Sequence, residues 1–149
     1  MKQKKLTEKE IYSYREIIES IELIDIELVE CKLKKYSNPS TEDINAELIT
    51  KVSSHKLETK KEKLIVNYKL DFHISEKIED NEKKLLEIKG MFKINYSIKT
   101  KVKNEIIKIF INKNVPVNIH PFVRELIHSF LPKTGFPSFT VPLLKLKNN

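Results

Sequence analysis

The chain has 149 residues, of which 40% are apolar and 33% charged, with a net charge of +7. That length suits one domain with its own core, and no apolar run approaches the ~18 residues that mark a membrane span, so no membrane insertion is expected. Gly90 and Gly135 are the only glycines, too few for a phosphate-cradling or dinucleotide loop, which excludes ATP use through one.

The start, Met1 to Lys5, is basic and leads into charged sequence rather than an apolar core, so no secretory signal is expected. The single Cys31 cannot form an internal disulfide, which fits a reducing, cytoplasmic setting, and it reads as a small buried hydrophobe. Thr7-x-x-Glu10 is a capping-box pattern, and Ile11, Tyr14, Ile18 and Ile21 follow at helical spacing, which predicts a helix over about 8–19. From Ile21 to Tyr36 the apolar parity switches, with Leu23, Val29, Cys31 and Leu33 on one parity and Ile24, Ile26 and Leu28 on the other. A bulged strand explains the switch; a strand buried on both faces is the alternative.

Residues 37–43 form a turn-rich linker, Leu48, Thr50 and Val52 suggest a second strand, and 56–63 reads as a charged hairpin tip. The third strand is the clearest: Leu64, Val66, Tyr68, Leu70, Phe72 and Ile74 alternate with mostly polar residues, the mark of one buried and one wetter face. A charged turn over 76–84 leads to a fourth strand at about 85–99. There Ile88, Phe92, Ile94, Tyr96 and Ile98 share a face with Gly90, whose missing side chain lets something pack close.

A helix over 101–113 carries Ile106, Ile107, Phe110 and Ile111 on one face, and Asn114-Val115-Pro116 is expected to break it. A second helix is expected to open with Pro121 at its first position and to end at Pro132, with apolar residues at 122, 123, 126, 127, 130 and 131. Gly135-Phe136-Pro137 then turns into an extended apolar tail containing Phe139, Val141, Leu143, Leu144 and Leu146. The expected organisation is a single domain over 1–149: an N-terminal helix (1–20), an antiparallel sheet (21–99), helices (103–131) and the tail (132–149). Four strands followed by helices make the fold α+β, a four-stranded antiparallel sheet with helices packed on one face.

No chemistry-bearing constellation stands out. His55, His73, His120 and His128 lack metal-ligand spacing, and no acid, base and nucleophile are placed by a motif. The chain is therefore not expected to be an enzyme, and no metal or cofactor is expected. Residues 1–75 hold 14 basic and 14 acidic side chains, while 76–149 hold 14 and 7. Lysine without arginine or interleaved aromatics reads as a solvated surface more than as a nucleic-acid interface.

Two stretches carry a resemblance. Pro121-Phe122-x-Arg124-Glu125 with Gly135-Phe136-Pro137 and Pro142, preceded by Glu87-x-x-Gly90-x-Phe92-x-Ile94, resembles the SecB-type chaperones. The resemblance covers roughly residues 20–146 in topology and is specific at 87–94 and 119–142. It implies a SecB-like α+β fold, assembly as a homotetramer (a dimer of dimers), and a structural role for Gly90, Phe92, Pro121, Phe122, Arg124, Glu125, Gly135, Phe136 and Pro137. It also implies ATP-independent holding of an unfolded preprotein or an antitoxin in apolar grooves. The candidate groove residues are Ile107, Phe110, Ile111, Phe136, Phe139, Val141, Leu143 and Leu144, each of which reads equally as core packing. The familiar export members are acidic and carry a further helix and acidic tail. This basic, shorter chain with an extra N-terminal helix departs from them, which points away from docking on the export motor ATPase. It points instead toward the divergent SecB-like chaperones of toxin–antitoxin systems. The rival readings are a nucleic-acid-binding module on the basic second half and a structural oligomer subunit.

Overall fold

The structure is a computed structural model that describes residues 5, 7–99 and 101–137. Helix α1 spans Glu8–Ser20. Its capping box is complete: the Thr7 hydroxyl accepts from the Glu10 backbone, and the Glu10 carboxylate accepts from the Thr7 backbone N–H at 2.7 Å. Four long strands follow, β1 (Ile21–Lys35), β2 (Ile44–Glu58), β3 (Lys63–Ile78) and β4 (Asn81–Ile98), and then one helix, α2 (Asn104–Phe130). Short 3-10 turns lie at Thr59–Lys61 and Leu131–Thr134.

The sheet is antiparallel, in the order β1-β4-β3-β2, so β1 and β2 are its edges. Leu64, Val66, Tyr68, Leu70, Phe72 and Ile74 of β3 lie opposite Tyr96, Ile94, Phe92, Gly90, Ile88 and Leu86 of β4, and all of these are buried on the face that the helices cover. The parity switch in β1 comes from two bulges, between Leu23 and Asp25 and between Leu28 and Glu30. Each inserts one residue and so returns the apolar set to the inner face.

Gly90 sits opposite Leu70 on one side and Cys31 on the other. A Cβ there would lie 3.2 Å from Leu70 Cδ2 and 3.5 Å from the Glu30 carbonyl oxygen, so it is the Leu70 side chain that uses the missing volume.

Three expectations are corrected. Residues 104–130 form one helix rather than two, with Pro116 and Pro121 inside it. The carbonyls these prolines leave without an N–H belong to Asn112 and Val117, which are exposed, so water can satisfy them. Meanwhile Val115, Ile119 and Val123, each 0% exposed, anchor the helix on the sheet through the proline region. Pro121 is thus an interior residue and not the start of a helix. The charged turn at 76–84 shrinks to Glu79-Asp80, with Glu79 at φ 56, because both flanks pair in the β3–β4 ladder. Cys31 is exposed rather than buried, since it lies on an edge strand that the helices only partly cover.

Candidate polypeptide-binding surface

Helix α2 is fixed to its surroundings by two asparagines one turn apart. Asn114 accepts from the Tyr14 hydroxyl of α1, and Asn118 donates to the Tyr96 hydroxyl of β4 at 3.0 Å. Burial pushes both tyrosine hydroxyls above the ordinary pKa, so they stay protonated and act as hydrogen-bonding groups only. Tyr96 also packs edge-on against Phe110, with ring centroids 5.2 Å apart. Beyond α2, Gly135 takes a left-handed turn at φ 80. Lys35 at the end of β1 donates to the Thr134 carbonyl at 2.7 Å and lies over the Phe136 ring at 5.4 Å, closing the turn onto the sheet.

This packing decides where several candidate residues lie. Ile107, Phe110, Ile111 and Phe136 are 2%, 2%, 3% and 5% exposed and belong to the core of this chain. Phe92 and Gly90 are buried in β4, while Phe122 is 44% exposed on α2. Arg124 makes no ion pair among the described residues, and its Nε is buried without a hydrogen-bond partner; Glu125 is exposed. Phe139, Val141, Leu143 and Leu144 lie outside the described residues.

The exposed apolar surface is elsewhere. Along β1, Leu23 and Leu28 on the inner face and the bulge residues Ile24 and Val29 are all exposed, as are Ile11, Tyr12 and Ile18 of α1. Among the described residues, the β1 edge beside these side chains has no further partner strand. The β1 parity switch was the sequence signal for this surface, but alternation alone does not say that a strand is an edge.

A second surface lies at the end of the sheet where β4 passes into α2. Leu57 at the end of β2, Thr59 and Glu62 of the β2–β3 connection, Ile98 at the end of β4, and Lys99, Lys101 and Val102 of the β4–α2 connection line a depression of about 530 Å³. Its floor is apolar: Ile98 is buried, and Leu57 and Val102 are half-buried. At the nearby hairpin tip, Glu58 pairs with Lys56 at 3.4 Å and Lys61 at 3.6 Å. Burial opposes ionisation of Glu58, yet the two lysines hold its carboxyl below the usual range. The outer sheet face carries a shallower depression of about 420 Å³ among side chains of both signs, including Glu30, Lys51, Lys69, Asp71 and Lys89.

Among the described residues no group of three or more histidine, cysteine, aspartate or glutamate side chains could hold a metal ion, and no helix is long and apolar enough to cross a membrane. What the arrangement offers is unfilled apolar surface beside open strand edges, which suits extended peptide backbone.

A four-stranded antiparallel sheet in this order, with a long C-terminal helix on one face, is the SecB-like fold. The chain is similar in structure to the SecB-like chaperone of Mycobacterium tuberculosis in complex with a ChAD peptide from the HigA1 antitoxin. The TM-score is 0.76 at 11% sequence identity, over 91% of this chain and 99% of that one. A Streptococcus agalactiae protein of unknown function matches with a TM-score of 0.46 at 13% identity, over 83% of this chain and 97% of that one. No protein-family model and no curated protein matches the sequence.

Proposed function

We propose that this protein is an ATP-independent holding chaperone that keeps a polypeptide client extended on apolar surface and makes or breaks no bond. The observation that carries the reading is the apolar surface that the described residues leave exposed along the β1 edge and α1, together with the apolar-floored depression at Leu57, Ile98 and Val102. The SecB-like fold supports it, and the mycobacterial neighbour's antitoxin peptide supports a dedicated antitoxin client over a general role in export. The working form is a cytoplasmic homotetramer in which part of the β1 and α1 surface is used in self-association, and docking on the export motor is not part of the reading. Several weak sites on one assembly then engage one client, and effective concentration makes the complex long-lived. The tail residues Phe139, Val141, Leu143 and Leu144 join the client surface in this reading.

The test is mass by light scattering together with suppression of aggregation of an unfolded model protein without ATP. An assembly near four subunits that suppresses at stoichiometric amounts is the expected result. An assembly that binds neither the model protein nor any antitoxin tail peptide would leave only a structural oligomer subunit.

A further inference from the structure

The depression at the β4–α2 end combines an apolar floor with unusual electrostatics. Residues 99–103 contain three lysines, Lys99, Lys101 and Lys103, and no acid. All three are exposed, and none makes an ion pair among the described residues. At the nearby hairpin the chain behaves differently, since Lys56 and Lys61 share an ion pair with Glu58. Lys99 and Lys101 line the depression, Lys103 follows two residues further on in sequence, and Glu62 is the one acidic side chain among the described residues lining it. The rim is therefore left with a surplus of positive charge.

Resting on the chaperone reading, we infer that this groove selects extended client segments whose apolar residues are flanked by aspartate or glutamate. The apolar floor supplies burial without direction, and the rim lysines supply the discrimination. A carboxylate on either side of a buried client residue falls within a Debye length of Lys99 and Lys101, roughly 8 Å at physiological ionic strength. A basic flank at the same place meets uncompensated like charge. Exposed pairs are individually weak, so two of them together give a preference of about two- to thirtyfold rather than an absolute rule.

The experiment measures binding of labelled peptides to the full chain by fluorescence anisotropy. The peptides share one apolar core and carry acidic, neutral or basic flanks, and a single-stranded oligonucleotide is the competitor. Acid-flanked peptide is expected to bind tightest, with the ranking flattening in roughly 0.5 M salt. Reversing the rim with Lys99→Glu and Lys101→Glu is expected to invert the ranking. Lys→Gln at the same positions is expected to flatten it, and Val102→Ser, which changes the floor without changing charge, to weaken all three peptides together. Equal binding of the three peptides, or a ranking unmoved by the charge reversal, overturns the inference and leaves the chaperone reading standing. Failure of every peptide to bind overturns both. Displacement of the peptides by the oligonucleotide through the same lysines overturns the inference in favour of a nucleic-acid surface.

Discussion

Asn118 on α2 donates its side-chain amide to the Tyr96 hydroxyl on β4, joining helix to sheet by a polar bond inside an otherwise apolar layer. Tyr96 is 1% exposed, so its hydroxyl has little access to water if the asparagine is removed. Asn118→Leu is expected to cost about 1–3 kcal/mol, the penalty of an unsatisfied buried hydroxyl. Tyr96→Phe removes both the need and the donor's partner, and the double variant is expected to lose less than the sum. Urea unfolding of the four-member cycle measures this; full additivity would show that the bond contributes nothing.

Gly90 is needed for volume rather than for turn geometry. Gly90→Ala places a Cβ against Leu70, and the overpacking is expected to cost about 1–3 kcal/mol. Adding Leu70→Val shortens the neighbour and is expected to recover part of that loss. An alanine variant as stable as the parent in chemical denaturation would contradict the close packing of β3 on β4.

Two prolines inside one helix give a test of its continuity. Pro116→Ala and Pro121→Ala each restore an N–H to the ladder and are expected to stabilise by about 1 kcal/mol or more, after the loss of proline's restraint on the unfolded chain. Helical content by circular dichroism is expected to hold or rise slightly. If Pro121 instead opened a separate helix, replacing it would destabilise, because proline suits a first helical position.

Glu76 ties the segment between β1 and β2 to β3. Its carboxylate accepts from the Ser40 backbone at 2.8 Å, the Ser40 hydroxyl at 3.0 Å and the Thr41 backbone at 3.2 Å. The Ser40 N–H bond is the main cause holding its pKa below the ordinary 4.5. A carboxyl depressed in the folded state contributes stability that is fully present above its unfolded pKa and is lost as pH falls through the folded one. Thermal melts of the parent are therefore expected to fall as pH drops below about 4.5, with a shallower fall for Glu76→Gln, which is less stable at neutral pH. Parallel pH profiles for the two proteins would remove Glu76 from this role.

Leu23 and Leu28 project from β1 with nothing described covering them, at 41% and 43% exposed. Leu23→Lys with Leu28→Lys is expected to leave the thermal midpoint of the isolated fold within a few degrees, since exposed substitutions usually stay within about 0.5 kcal/mol. The same change is expected to lower the mass of the assembly and its capacity to hold an unfolded client. Unchanged mass and capacity would move the working surface away from this edge.

The sheet was readable because period-two alternation over 64–74 and over 88–98 is a local property of the chain, and so was the start of α1, where Thr7 and Glu10 bond to each other's backbone. The switch of parity in β1 announced a bulge, though not that there would be two. The break expected at Pro116 failed because proline's penalty is local, whereas the burial of Val115, Ile119 and Val123 depends on a sheet built from residues far away in sequence. For Ile107, Phe110 and Ile111 the pattern gave a helical stripe but not what the stripe faces; their position in the core follows from how α2 lies on β3 and β4.

The sequence by itself determined the order of the strands along the chain, the face each presents, the cap of α1 and the excess of lysine in the second half, because each is written in neighbouring residues. The tertiary structure alone decided that β1 is an edge, that Cys31 and Leu28 stay exposed, that α2 runs unbroken, and that Leu57 and Val102 line one depression with Lys99 and Lys101. Those outcomes depend on which distant surfaces compete for burial, and a run of residues read in isolation carries no record of that competition.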